Sequence, residues 1–264
     1  MERIVLLILL LLNVFLLSVV LSDAVEARRN EAETTASITA LLEENGITVA
    51  DGAIRLQSAP IPCVLTRDIL REGEKVKKLI GDYTPEDVGG NIFFYRGEKG
   101  QALLRGSGEM DVLLDSRVVS IRGGEDRTAQ RVLQSIGVTA IPIDGTNDPE
   151  FYCSCDGLPV YNAVLRFEFT DNSLSIISGT RLFDNLTKNT ERSGMDSVSV
   201  LLRFIEIVRS EGFICSQISS VQPGYLMSVT RSGEAELTPV WHIETDAGAL
   251  MIDAETGKTA NRLT

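Results

Sequence analysis

The sequence has one histidine, His242, and one tryptophan, Trp241, in 264 residues. A single imidazole excludes a histidine cluster around a catalytic zinc and any mechanism that needs two imidazoles. Positive charge is scarce as well: 25 Lys and Arg face 37 Asp and Glu, a formal charge of −12. That deficit excludes a broad electrostatic grip on nucleic acid or anionic lipid, so no nucleic-acid partner is expected. The four cysteines, Cys63, Cys153, Cys155 and Cys215, include no C-x-x-C pair, which removes the usual redox and zinc spacings. No G-x-S-x-G elbow and no S-x-x-K occurs, and Gly106-Ser107-Gly108 lacks the third glycine and helix of a dinucleotide loop. Asp144-Gly145-Thr146-Asn147-Asp148 is oxygen-rich but without the closing Glu of a calcium loop, and reads as a surface turn. No catalytic residue, metal ligand or cofactor is therefore assigned, and the expectation is a protein that is not an enzyme.

What the sequence does have is apolar material: 44% hydrophobic residues, enough for real cores in one or two folded units. The longest apolar run, Ile4 to Leu21, is 18 residues interrupted only by Asn13 and Ser18. At about 1.5 Å per residue it would make roughly 27 Å of helix, close to the hydrocarbon core of about 30 Å. Residues 1–24 read as a transmembrane signal anchor. The competing reading is a cleaved secretory signal, since Ser22-Asp23-Ala24 and Val25-Glu26-Ala27 offer small residues before a cut. Three residues before the run cannot form a domain, so the expected placement is a single-pass protein of the cell membrane, amino terminus cytoplasmic and bulk extracytoplasmic. Leu9, Asn13, Leu17 and Val20 share one face by their spacing, a candidate partner-binding stripe. The Asn13 amide would bond to a second helix or to its own backbone.

Beyond the run, two parts are expected: a stalk helix with a membrane-proximal α+β domain over 25–122, and a C-terminal α+β domain over 123–264. Asp23 to Asn45 has no Pro or Gly and gathers its apolar residues at the end, at Ile38, Leu41 and Leu42, as a helix docking by its far end would. Gly46 then precedes the β-branched Ile47-Thr48-Val49, a capping glycine followed by a strand. The same helix, glycine, strand order returns at Gly137, after a helix from near Glu125, and at Gly212, after one from near Asp196. A fourth, charged helix spans Asp68 to Leu79 and ends at Gly81. Strands are expected at Ile92–Tyr95 and Ala102–Arg105 around a hairpin turn, at Asp111–Leu114, and at Val160–Phe169 turning through Asp171-Asn172 into Leu174–Leu182. Three more follow at Tyr225–Thr230, Leu237–Thr245 and Ala249–Asp253. The fold class is α+β, antiparallel sheets with helices on one face.

Alternation in Val240–Thr245 puts Trp241, Ile243 and Thr245 on the core face and Val240, His242 and Glu244 on the outer face. Cys153 and Cys155 sit side by side as C-S-C and are poorly placed to bridge each other, so disulfides would use Cys63 or Cys215; buried free thiols are the alternative.

The run from Pro239-Val240-Trp241, through the turn Asp246-Ala247-Gly248, to Asp253-Ala254-Glu255-Thr256-Gly257 resembles the end of a PepSY-type module, in which a P-x-W strand pairs with one finishing in D-A-x-T-G. Pro239, Trp241, Gly248, Asp253 and Gly257 are its structural positions. With the N-terminal apolar run, the stalk and the repeated helix-plus-sheet units, the layout resembles the YycI family of membrane-anchored regulators in Gram-positive bacteria. The resemblance implies tandem PepSY-like modules without catalytic residues or cofactors. It also implies action with a sister protein, YycH, on the sensor histidine kinase of the cell-wall two-component system YycFG. A second function stays open: an anchored or secreted PepSY-like inhibitor or chaperone of an exported protease or cell-wall hydrolase.

Overall fold

Helix ends in this chain are set by short-range chemistry. The computed structural model describes residues 29–263, and residues 29–44 are helical (α1). At its end Gly46 takes φ 78°, and the Gly46 and Ile47 N–H groups bond back to the carbonyls of Glu43 and Leu42. Helix α2, Ile69–Ile80, opens on Asp68, whose carboxylate accepts from the Leu70 and Arg71 N–H groups. Helix α3, Glu125–Ile136, stops at Gly137 with φ 72°. Helix α4, Ser197–Glu211, is opened by the Asp196 side chain on the Ser199 N–H and closed by Gly212 with φ 68°. The starts of α2, α3 and α4 and the ends of all four helices fall within a residue or two of those expected from sequence; the expected start of the first helix, at Asp23, lies outside the described residues.

The strands in chain order are β1 Thr48–Val49, β2 Cys63–Thr66, β3 Tyr83–Gly89, β4 Ile92–Gly97, β5 Gly100–Leu104, β6 Glu109–Leu114, β7 Ala140–Pro142 and β8 Glu150–Cys155. Then come β9 Leu158–Thr170, β10 Ser173–Thr180, β11 Asn185–Lys188, β12 Gln217–Val229, β13 Ala235–Thr245, β14 Gly248–Asp253 and β15 Thr259–Leu263. The chain is thus a mixed α+β fold. One half of the sheet is antiparallel in the order β3-β4-β5-β6-β10-β9-β8-β7. The other half runs β11-β2-β13-β12, with β14 and β15 beyond β13 and β1 parallel to β12. The halves meet where β12 lies parallel to β9, Tyr225 opposite Val160. Pairing also crosses position 122: β6 bonds to β10, and β2 to β13 and β11.

Asp171 and Asn172 both have positive φ, 51° and 62°, the two-residue hairpin expected there. Strand β12 is far longer than the Tyr225–Thr230 expected, because Pro223-Gly224 reads as a break but lies within it. Gly224 is needed at that point: a Cβ would come within 2.4 Å of Tyr161 Cε2 and 2.7 Å of the Pro159 carbonyl oxygen. Strand β8 lies outside the expected elements, and Asp156-Gly157, with φ 52° and 79°, forms its turn into β9.

Two main cores result. In one, α2 and α3 pack on strands of both halves through residues such as Val76, Ile80, Val132, Leu165 and Ile177. In the other, α4 and the end of α1 pack over β12–β14 around Trp241. Ile38 and Leu42 are the α1 residues buried there, and the turns before Ile38 are largely exposed. No helix among the described residues is long and apolar enough to cross a membrane. The run Ile4–Leu21, with Leu9, Asn13, Leu17 and Val20, lies outside the described residues.

Candidate functional site

A cavity of about 460 Å³ opens between α2, α3 and the sheet. Val76 and Leu79 of α2, Leu133 and Ile136 of α3, and Leu165 and Ile177 of β9 and β10 make it apolar. Amphipathic helices with their apolar stripes on the sheet produce this lining, and the volume falls within the range of about 300–1,000 Å³ of small-molecule sites.

At the α2 end the lining turns ionic. Glu72, 2% exposed, accepts from Arg67 Nε through both carboxylate oxygens at 2.8 and 2.9 Å. Arg181, just after β10, brings Nη2 to 2.7 Å from Glu72 Oε1 without hydrogen-bonding geometry. Arg181 is buried, and its Nε and Nη2, like Arg67 Nη2, have no hydrogen-bond partner. Burial pulls the Arg181 guanidinium below its ordinary value, against the opposing pull of Glu72. Lys75 is paired with Asp184. The other charged lining groups, Arg71 and Asp156, pair with Asp68 and Lys188. Arg67 and Arg181 therefore share one carboxylate, which leaves a surplus cation beside an apolar cavity. Nothing in the sequence marked these residues as a site; the available hint was an arginine, Arg181, set against the apolar Leu182-Phe183 after an apolar strand.

The C-terminal motif residues come together, in a structural role. Trp241 is fully buried and its Nε1 donates to the Met195 carbonyl at 2.9 Å. Pro239, which has no N–H to give, falls where β13 leaves β2 at Leu237 and has not yet met β14 at Val240. Gly248 takes φ 108° in the β13–β14 turn. Asp253 Oδ1 accepts from the Glu255 and Thr256 N–H groups, and Gly257, at φ 68°, donates to the Asp253 carbonyl, so the chain turns into β15. Arg203 of α4 donates to the Gly257 carbonyl and ties the helix to this turn.

No protein-family model and no curated protein matches the chain. Several solved structures are similar in shape, two of them as follows. One is an uncharacterized protein from Eubacterium rectale, at 10% identity and TM-score 0.48, covering 83% of this chain and 90% of that one. The other is YycH from Bacillus subtilis, at 10% identity and TM-score 0.36, covering 72% of this chain and 52% of that one.

The remaining candidates have plain roles. The outer face holding His242 is covered by a third small cluster of Tyr161, Val240 and Met251. The His242 ring lies on Tyr161 at 4.6 Å with its side chain 12% exposed, so the outer face of β13 is covered at this point. Burial lowers the His242 pKa, with Glu244 pulling the other way. All four cysteines are free thiols, Cys215 half-buried and the others buried. Burial pushes Cys153 and Cys155 up to about 12. Among the described residues no group of three or more His, Cys, Asp and Glu side chains could hold a metal ion.

Proposed function

We propose that this chain is a non-enzymatic, membrane-anchored regulator that acts by protein contacts on a sensor histidine kinase controlling cell-wall metabolism, beside a YycH-like sister protein. Residues 1–24 are the single-pass anchor, with a cytoplasmic amino terminus, and the helix-plus-sheet units are PepSY-like and extracytoplasmic. The observation that supports this reading most is the docking of α1. Its last turns insert Ile38 and Leu42 into the core around Trp241, while the turns nearer the apolar run are largely exposed. A helix so held couples whatever moves its first end to the sheet. The stripe Leu9, Asn13, Leu17 and Val20 is the proposed contact for partner helices.

The test is photo-crosslinking from position 13 in native membranes, with mass spectrometry of the captured species. Capture of a histidine kinase or of a second single-span protein is expected. Capture of lipid alone, or a mature chain lacking residues 1–24, would sink the transmembrane version.

A further inference from the structure

The Arg67–Glu72–Arg181 triad has one carboxylate for two guanidinium groups, and all three side chains are at least nine-tenths buried. Away from water a charge needs a counter-charge, and the alternative of losing the proton is closed to arginine. The neighbouring carboxylate Asp184 does not cancel the surplus, because Lys75 already matches it. The surplus positive charge sits where Arg181 lines a cavity of about 460 Å³ whose apolar walls come from α2, α3 and the sheet and whose other charged lining groups, Arg71, Lys75, Asp156 and Asp184, are each already paired. In a chain of net charge −12 such a place is not part of a general basic surface. It combines an apolar chamber, large enough for a flexible chain, with a single buried cation at one end, and Nε and Nη2 of that cation have no hydrogen-bond partner.

We infer that this cavity binds a single-chain amphiphilic monoanion, a fatty acid, with its carboxylate on Arg181 and its tail between α2 and α3. The surplus is one charge, which favours a carboxylate over a dianionic phosphate monoester. The polar atoms that the triad leaves unpaired are donors, which suits an acceptor-only headgroup. A small movement of the Arg181 side chain toward the chamber brings its free N–H groups to the ligand while Arg67 keeps Glu72 in a two-oxygen grip. The inference does not depend on the proposed regulatory role.

The experiment uses the full chain, a 12-carbon fatty acid bearing a tail diazirine, and mapping of the labelled peptides. Label on α3 around Leu133 and Ile136 is expected, displaced by dodecanoate, less by dodecyl phosphate and poorly by dodecanol. Arg181→Gln lowers this labelling about tenfold, the effect of one charge-assisted hydrogen bond. Val138→Trp, at the partly exposed cavity rim with the triad intact, also abolishes it, and keeps the test decisive if the Arg181 variant does not fold. Label confined to residues 1–28, equal competition by dodecanol, or labelling unchanged in both variants would overturn the inference.

Discussion

Trp241 Nε1 donates to the Met195 carbonyl oxygen at 2.9 Å, tying the middle of β13 to the segment that leads into α4. The ring is fully buried in the core that also receives α1. Trp241→Phe removes the donor and part of the volume at once. A loss of about 2–4 kcal/mol is expected in urea unfolding. A loss below about 0.5 kcal/mol, the level of surface substitutions, would show that the tryptophan does not hold this joint.

Glu72→Gln leaves Arg67 and Arg181 facing each other without a carboxylate. Breaking a buried ion pair from one side costs about 3–5 kcal/mol. The double variant Glu72→Gln, Arg181→Met should recover part of that loss in chemical denaturation. If the double variant is less stable than the sum of its single changes, the repulsion argument fails.

Gly224→Ala tests the seam between β12 and β9, where the added carbon would lie 2.7 Å from the Pro159 carbonyl oxygen. The backbone cannot swing aside as a side-chain end can, so about 1–3 kcal/mol is expected to be lost. Hydrogen exchange should speed up around Tyr225 and Val160 first; uniform loss of protection across the fold would count against a local seam.

His242 is held neutral by burial, with its folded pKa below its unfolded one. The neutral ring costs nothing above the unfolded pKa of about 6.5. As pH falls below that value, the unfolded chain takes up the proton first, and stability declines until the folded pKa is passed. His242→Phe, which keeps a ring on Tyr161, should unfold with a shallower loss of melting temperature between pH 7 and pH 5 than the parent. Parallel curves for the two proteins would refute the assignment.

Cysteine reactivity should separate by burial. Cys153 and Cys155, raised to about 12, stay protonated at neutral pH, whereas Cys215 is half-buried. Maleimide is expected to modify Cys215 first in the folded protein and all four thiols after denaturation. Early modification of Cys153 would contradict the buried placement of β8.

The ends of the helices were legible because the groups that set them are close along the chain. Asp68 and Asp196 cap N–H groups two or three residues ahead, and Gly46, Gly137 and Gly212 take the left-handed φ that closes a helix. The alternation in β9 was legible too, since one face of it is buried, whereas β13 is covered on both faces around Val240 and Trp241. Strand β3 gave no such signal, because it is exposed along nearly all its length and contains Pro85. Strand β8 carries its local signal only at its end, in the Asp156-Gly157 turn.

The sequence by itself determined local structure: helix caps, two-residue turns and the Trp-containing terminal hairpin, each governed by residues within a few positions of one another. Tertiary structure alone decided that β6 bonds to β10 and β2 to β13, so that one sheet runs through both halves of the chain. It alone brought Arg181 to Glu72 and made the cavity beside them. The physical reason is separation. Strand partners and buried charges that meet across the chain are chosen by the global packing of the sheet and its helices, and an isolated arginine or glutamate has the same local signature whether it ends in water or in a core.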